Sequence, residues 1–195
     1  MNEEKKHRVC PVAKAGMLDF ALRRLVQNPG RILRPYIKEG MTALDLGCGP
    51  GFFTLEMARL VGISGRVLAA DLQEGMLEKL RAKIRNTPLA GRVRFHQCLP
   101  DRIGLAEKFD FILVFYMLHE VPDQGSFLRE IQALLNPAGK VLLVEPKWHV
   151  TQGEFLAAIT VMEQAGFTVL EHPKILFSRA VVIGHAGARE AGRGS

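Results

Sequence analysis

Short apolar runs alternate with amphipathic stretches through most of the chain. The run FDFILVFY at 109–116 is apolar almost throughout, whereas residues 74–84 carry apolar side chains at helical spacing. Strands that alternate with helices indicate βαβ units and a parallel sheet covered on both faces. The last two runs, FTVLE at 167–171 and ILFSRAVVIGH at 175–185, leave no room for a helix between them, so the last strand should be antiparallel. The sequence predicts an α/β fold of three layers with a mostly parallel seven-stranded sheet.

Apolar spacing and the residues typical of turns and helix caps predict where several elements begin and end. Apolar spacing at 18–26 and again at 32–37 predicts one or two helices before the first strand. The segment NPAG at 136–139 predicts a stop and a turn before Lys140. Thr151 and Glu154 have the spacing of a capping box, so a helix should begin there, and Gly166 is placed to end it in a left-handed C-cap.

Composition sets the broad class. A chain of 195 residues that is 48% apolar and 24% charged is typical of one folded domain. Its longest uncharged apolar run, at 111–118, is far shorter than the about 20 residues of a membrane helix, which argues against a spanning protein. The mixed-charge start MNEEKKHR is no secretory signal and predicts a cytoplasmic location. Cys10, Cys48 and Cys98 lie too far apart for a disulfide framework or a metal site, and no metal is expected.

A glycine-rich turn follows the first predicted strand. The segment LDLGCGPGFFT at 44–54 places Gly47, Gly49 and Gly51 at alternate positions, then continues into a helical pattern. Glycines are needed where the backbone turns sharply and approaches a ligand. Asp71 ends the next strand, 20 residues after Gly51, where its carboxylate can accept hydrogen bonds from two ribose hydroxyls. A dinucleotide fingerprint would have glycine at position 52, where Phe52 stands, and no P-loop lysine follows.

Together these motifs resemble the class I S-adenosylmethionine-dependent methyltransferases. Besides the turn and Asp71, the resemblance includes LHEVPD at 118–123 after the fourth strand, LNPAGK before the fifth, and the closing pair of strands. It spans about residues 31–185 and implies a Rossmann-like fold, methyltransferase activity and S-adenosyl-L-methionine as cofactor.

The resemblance also implies roles for single residues. The backbone of Gly47, Cys48 and Gly49 would contact the amino-acid end of the cofactor, and Asp45 would support the turn. Asp71 would hold the ribose, with a helix N-cap as the alternative role. Leu72 and Met76 would flank the adenine, although Met76 also fits an ordinary buried helix stripe. The residues assigned to the cofactor are Asp45, Gly47, Cys48, Gly49, Asp71, Leu72, Met76, Cys98 and Phe115.

One departure from the family concerns the third strand. Many members place an acid after it to bind the adenine amino group, whereas this chain has FHQCLP at 95–100. Either the backbone near Gln97 and Cys98 or the displaced carboxylate of Asp101 could take that role. The sequence leaves both open.

Candidates for the chemistry follow strands four and five, whose carboxyl ends meet at the ligand-binding edge of such sheets. Because a sulfonium methyl is already activated, the protein mainly has to align the acceptor, and a base is needed only for an acceptor with a tightly held proton. We assign catalysis to His119 and Glu145, with packing at a strand end and a solvated strand end as the alternatives. Tyr116 and Trp148 are predicted to wall the pocket.

Absent motifs narrow the acceptor. No Asp/Asn-Pro-Pro-aromatic motif and no Pro-Cys pair follows the fourth strand, which argues against methylation of nucleic-acid bases. We therefore predict a small-molecule acceptor. A methyltransferase that docks RNA or protein on the basic residues at 23–34, and a Rossmann protein that binds NAD(P), remain as alternatives.

The expected organisation is one catalytic unit with two short flanks. We predict a helical cap or lid at 1–40, the methyltransferase domain at 41–185, and a flexible tail at 186–195. A monomer or a homodimer would suit a chain of this size.

Overall fold

A computed structural model describes residues 27–187 of the chain. The strands are β1 (Thr42–Leu46), β2 (Arg66–Asp71), β3 (Val93–Gln97), β4 (Phe109–Phe115), β5 (Leu135–Pro146), β6 (Phe167–Glu171) and β7 (Ser178–His185). The α-helices are α1 (Pro29–Leu33), α2 (Thr54–Leu60), α3 (Glu74–Ile84), α4 (Gln124–Leu134) and α5 (Gln152–Gln164), and two 3₁₀ turns lie at Ala90–Arg92 and Leu118–Glu120. The apolar pattern predicted before residue 27 lies outside the described residues, as does most of the expected tail.

All seven strands form one sheet in the order β3-β2-β1-β4-β5-β7-β6. Every neighbouring pair is parallel except those that involve β7, which is antiparallel to both β5 and β6. This confirms the predicted Rossmann-like sheet with an antiparallel last strand. Strand order reverses between β1 and β4, and a crevice opens at the carboxyl ends of strands at such a point.

Alternation along the strands builds a core on each face of the sheet. In β4, Phe111 and Leu113 face the cluster that packs against α2 and α3, whereas Ile112 and Val114 face the cluster that packs against α4 and α5. Helices cover both faces, so the central strands are apolar on both sides. The result is the three-layer sandwich that the sequence predicts.

The helix stop predicted at 136–139 falls slightly earlier, because α4 ends at Leu134 and β5 begins at Leu135, and a bulge within β5 stands in place of the predicted turn. Leu135 pairs with Phe109, and the Asn136 side chain donates to Asp110 Oδ1 at 2.7 Å. Asp110 Oδ2 accepts from the Thr42 backbone at 2.9 Å, so one carboxylate joins the starts of three strands. Phe111 pairs with Lys140, so residues 136–139 lie opposite Asp110 alone and bulge out of the ladder between β4 and β5.

Several helix and strand ends also differ from the predictions. Helix α4 begins at Gln124 because Asp123 caps it, its Oδ1 accepting from Ser126 N at 2.9 Å. Strand β7 begins at Ser178 and not at Ile175, since Phe177 adopts a φ of 58° that strand pairing does not allow. The capping box at Thr151 and the left-handed Gly166, with φ 92°, are confirmed at the two ends of α5.

Candidate active site

The glycine-rich turn follows β1 and is hydrogen-bonded to the end of β2. The Gly47 and Cys48 amides both donate to Ala70 O, at 2.9 and 3.0 Å, which fixes the turn on the neighbouring strand. All three glycines have positive φ: 74° at Gly47, 52° at Gly49 and 87° at Gly51. Backbone of this kind favours glycine because a Cβ would strain it.

The glycines differ in what surrounds them. A Cβ on Gly51 would lie 2.3 Å from Leu80 Cδ1, so this glycine lets α3 pack closely against the turn. A Cβ on Gly49 would meet nothing within 4 Å. Gly49 therefore borders open space, which is where a ligand can approach the backbone.

Asp45 and Cys48 lie beneath the turn and not on its open side. Asp45 is buried and accepts from Thr54 Oγ1 at 2.5 Å, which ties β1 to the first residue of α2. The Cys48 thiol is also buried and contacts Gly49 O at 3.4 Å. Burial raises the pKa of Cys48 well above its ordinary value, so this thiol is no nucleophile.

Asp71 links the turn to the start of α3. Its Oδ2 accepts from Gly49 N and its Oδ1 from Gln73 N, both at 2.9 Å. Burial raises the pKa of Asp71, while these two amide hydrogen bonds favour the ionised form. The carboxylate thus makes a capping contact and also faces the open side of the turn.

A cavity of about 540 Å³ opens at the carboxyl ends of β1, β2 and β4. It brings together most of the residues predicted to bind the cofactor: Gly47, Gly49, Asp71, Leu72, Met76, Cys98 and Phe115. Asp45, Cys48, His119 and Glu145 do not line it. Met76 is 4% exposed and serves both the helix stripe and the cavity wall.

Two further segments form part of the wall, and apart from Asp101 none of their residues was assigned to the site from the sequence. One is the loop at 99–103 after β3, and the other runs from Val121 to Phe127. The first loop is held by Glu130 of α4, whose Oε2 accepts from Ile103 N at 2.9 Å, and by His96, whose Nε2 contacts Ile103 O at 2.7 Å. Long-range contacts of this kind leave no local sequence signal.

Charge on the cavity wall is mostly negative. Among the described residues it is lined by the carboxylates of Asp71, Asp101, Glu120 and Asp123 and by one guanidinium, that of Arg102. Such a wall attracts a cationic ligand and disfavours a pyrophosphate. Asp101 lines the cavity near Cys98, whereas the Gln97 side chain donates to Leu72 O at 3.3 Å.

A histidine and a glutamate meet beside the cavity. The Nδ1 of His119, in the 3₁₀ turn after β4, lies 2.5 Å from Oε2 of Glu145 at the end of β5. Glu145 is 2% exposed, while the His119 side chain keeps a quarter of its surface open. The hydrogen bond to Glu145 raises the pKa of His119, and burial opposes the rise. A carboxylate only accepts, so Nδ1–H donates and Nε2 is left with the lone pair.

Aromatic side chains surround this pair. The His149 ring stacks on His119 with centroids 5.6 Å apart, and Trp148, which is 62% exposed, meets the Tyr116 ring edge-on at 5.5 Å. Tyr116 has a φ of 61°, and its hydroxyl contacts Ser178 Oγ at 2.6 Å and accepts from Gln27 Nε2 at 2.5 Å. The positive φ turns Tyr116 toward the cavity that it lines.

Residues 27–187 contain neither a metal-binding cluster nor a membrane-spanning helix. No group of three or more His, Cys, Asp or Glu is placed to hold a metal ion. No helix within this range is long and apolar enough to cross a membrane.

Comparisons with known proteins agree with this geometry. Residues 37–177 match the family model of a methyltransferase domain. The ubiquinone/menaquinone biosynthesis C-methyltransferase UbiE of Klebsiella pneumoniae is 36% identical over 110 residues, which cover 56% of this chain and 44% of that protein. The same protein of Escherichia coli matches equally. The chain thus spans less than half the length of the curated relatives it matches.

Solved structures share the fold. A SAM-dependent methyltransferase from Aquifex aeolicus has a TM-score of 0.79 and 25% identity, with 90% of this chain and 98% of that chain covered. A Haloferax volcanii methyltransferase, solved with its Trm112 activator, has a TM-score of 0.71 and 18% identity over 89% of this chain and 96% of that one. At that identity the second likeness concerns the fold alone.

The fold and the cavity are those of the class I S-adenosylmethionine-dependent methyltransferases. Because the family model matches 37–177, well over half of the chain, the chain belongs to the methyltransferase domain family. The residues present fit the cofactor of that class: open space at Gly49, a buried carboxylate at Asp71 and an acidic wall suited to a sulfonium.

Proposed function

We propose that this protein transfers the methyl group of S-adenosylmethionine to a small-molecule acceptor by in-line displacement, and that His119 takes the acceptor's proton. The observation that supports the proposal most is the contact between His119 and buried Glu145, beside a cavity that the glycine turn and Asp71 line. Met117, which precedes the 3₁₀ turn that carries His119, and Glu120, which ends it, both line that cavity.

Binding of the cofactor is assigned to the residues of the cavity. The Gly49 backbone and the Asp71 carboxylate would hold the amino-acid end and the ribose, and Leu72, Met76, Cys98 and Phe115 would supply the apolar walls. For the adenine amino group we favour Asp101, because it lines the cavity and carries a carboxylate; Cys98 lines the cavity too, so its backbone is the alternative. When bound, S-adenosylmethionine supplies an electrophilic methyl group on a positive sulfur that leaves as a neutral thioether.

His119 would act as the base. As the nucleophilic atom of the acceptor forms its bond to the methyl carbon, the proton on that atom passes to Nε2 of His119. Nδ1–H stays on Glu145, whose charge stabilises the imidazolium that results. A base whose pKa lies somewhat above its ordinary value suits a weakly acidic hydroxyl or thiol better than an alcohol.

The surroundings support an apolar acceptor. Trp148, Leu176 and Phe177 are each more than half exposed. The Lys147 amide donates to Phe177 O at 3.1 Å, which joins the loops that carry them. An apolar surface beside a base can hold an aromatic or aliphatic acceptor and exclude water. The curated relatives are named for the biosynthesis of quinones, which are small molecules.

The predicted cap remains part of this proposal. Gln27 is 4% exposed and donates to the hydroxyl of Tyr116, a residue that lines the cavity. That position supports a role for 1–40 in covering the site. The cytoplasmic location, the oligomeric state and the tail stay predictions.

The test combines acceptor class with the pH dependence of the rate. With methyl-labelled cofactor, the full chain should label the small-molecule fraction of a metabolite extract and leave RNA and protein fractions unlabelled. With the acceptor found, kcat/KM should rise with pH through a pKa above the about 6.5 of an ordinary histidine. Glu145→Gln should move that pKa down, because a neutral amide stabilises the imidazolium less.

Two further variants make the test specific. His119→Gln should abolish the rise of kcat/KM with pH and lower the rate about 10²- to 10⁴-fold, the usual range for a lost base. The matched control is His172→Gln, which changes an exposed histidine between β6 and β7 and should leave the rate unchanged. Label in RNA, with binding that weakens steeply as salt rises, would instead support the docking alternative. An active His119→Gln enzyme with an unaltered pH profile would remove His119 from the chemistry.

A further inference from the structure

Glu145 has one oxygen that the dyad with His119 does not use. Oε2 contacts His119, while Oε1 is buried and has no hydrogen-bond partner among the described residues. An unsatisfied buried carboxylate oxygen is costly, so a native structure normally supplies a partner for it.

Arg179 of β7 lies where that partner is needed. In the antiparallel register of β5 and β7, Glu145 is directly opposite Arg179. Residues opposite each other in this way point to the same face of the sheet, with Cβ atoms about 4.5–5.5 Å apart. Nη1 of Arg179 is itself buried and without a partner in the described part of the chain. Two buried atoms without hydrogen-bond partners, on side chains of opposite charge, therefore belong to residues that are paired across the sheet.

We propose that Arg179 is a positioning residue that binds the free oxygen of Glu145, directly or through one water, and thereby sets the basicity of His119. A turn of the arginine side chain or one bridging water satisfies both groups at once. Arg179 touches neither cofactor nor acceptor in this account. It shares the Glu145 carboxylate with His119 and so limits how strongly Glu145 stabilises the charged form of His119. The inference rests on the proposed function only in naming His119 as the base.

Two other titratable residues lie close to His119 and contribute to its electrostatic surroundings. Glu120 lies in the same 3₁₀ turn, and His149 stacks on the ring from the loop after β5. Against this background the guanidinium adds a positive charge that limits how tightly the Glu145 and His119 pair holds a proton. Its removal should therefore raise, and not lower, the titration midpoint of His119.

The test measures that midpoint by NMR on the full-length protein without any acceptor, so it is independent of enzymatic activity. Arg179→Met should raise the His119 midpoint by about one pH unit, the scale for losing one charge at close range. Arg179→Lys, which keeps the charge, should stay close to wild type. If Arg179→Met does not fold, Arg179→Gln removes the same charge and keeps a hydrogen-bonding group.

A double-mutant cycle separates positioning through Glu145 from a general field effect. In a Glu145→Gln background, the shift caused by Arg179→Met should shrink to less than half, because the group through which Arg179 acts is gone. An unchanged His119 midpoint in Arg179→Met, or an equal shift in both backgrounds, would overturn the proposal. Absence of methyl transfer in the wild type would count against the proposed function and leave this measurement valid.

Discussion

Gly49 and Gly51 stand two positions apart in the same turn and have different physical reasons to be glycine. At Gly51 the reason is packing, because a methyl group would lie 2.3 Å from a side-chain carbon of buried Leu80. At Gly49 the reason is room for a ligand, because nothing lies within 4 Å of such a methyl group. A sequence pattern shows both glycines and cannot tell these roles apart.

Alanine at each position should separate stability from binding. Gly51→Ala should lower the free energy of unfolding by about 2–4 kcal/mol through overpacking and backbone strain. Gly49→Ala should cost only about 1–2 kcal/mol of left-handed strain and weaken S-adenosylmethionine binding about tenfold or more, a loss of about 1.4 kcal/mol or more. Denaturant unfolding and calorimetry measure the two quantities. Equal losses of stability, or unaltered affinity in Gly49→Ala, would contradict this division.

The loop after β3 shows how an element far along the chain shapes the site. Its residues 99–103 form part of the cavity wall. Their position depends on Glu130 of α4, a helix that comes after β4 in the sequence. Glu130 Oε2 accepts from Ile103 N at 2.9 Å and from Gly104 N at 3.4 Å. One side chain thus links the wall of the cavity to a helix of the sandwich.

Removing this link should loosen the wall without unfolding the domain. Glu130→Ala should cost about 1–2 kcal/mol of stability, the scale for a charged hydrogen bond, and speed the exchange of the Ile103 amide with solvent. The affinity for S-adenosylmethionine should fall several-fold. Glu163→Ala, which truncates an exposed glutamate on α5, is the matched control. Unchanged exchange at Ile103 would show that the loop holds its position without Glu130.

Local patterns predicted the elements and most of their boundaries, and they failed where distant residues decide the outcome. The periodicity of 74–84 matches α3, and the Thr151 capping box starts α5 one residue after the cap. At 136–139 a bulge within β5 replaces the expected turn, because Phe109 pairs with Leu135 and Phe111 with Lys140, while the Asn136 side chain donates to Asp110. The position of Asp101 was likewise beyond local patterns, because Asp101 lies in the loop after β3 that Glu130 holds through Ile103.

The same contrast applies to the site. The glycine turn and Asp71 were predictable because they lie at the carboxyl ends of β1 and β2, two successive strands that are neighbours in the sheet. The contact of His119 with Glu145 joins residues 26 positions apart, and the sequence analysis assigned both side chains without predicting that they meet. The orphaned atoms of Glu145 and Arg179 depend on the register of β5 with β7, which no local pattern predicts.

At the scale of the whole molecule, topology places the site. Strand order reverses between β1 and β4, and the cavity opens at the carboxyl ends of these strands and of β2. The proposed cofactor residues line it mainly from β1, β2 and the loop after β3, whereas His119 and Glu145 lie beside it at the ends of β4 and β5. In the proposed function the first set binds the cofactor and the second acts on the acceptor.

Calorimetry with the full chain tests the central claim most directly, since it asks which cofactor the acidic cavity takes. S-adenosylmethionine and its demethylated product should bind, Asp71→Ala should weaken that binding by about 1–3 kcal/mol, as expected for lost hydrogen bonds to a charged group, and NADP should give no heat. Binding of NADP without binding of S-adenosylmethionine would contradict the account.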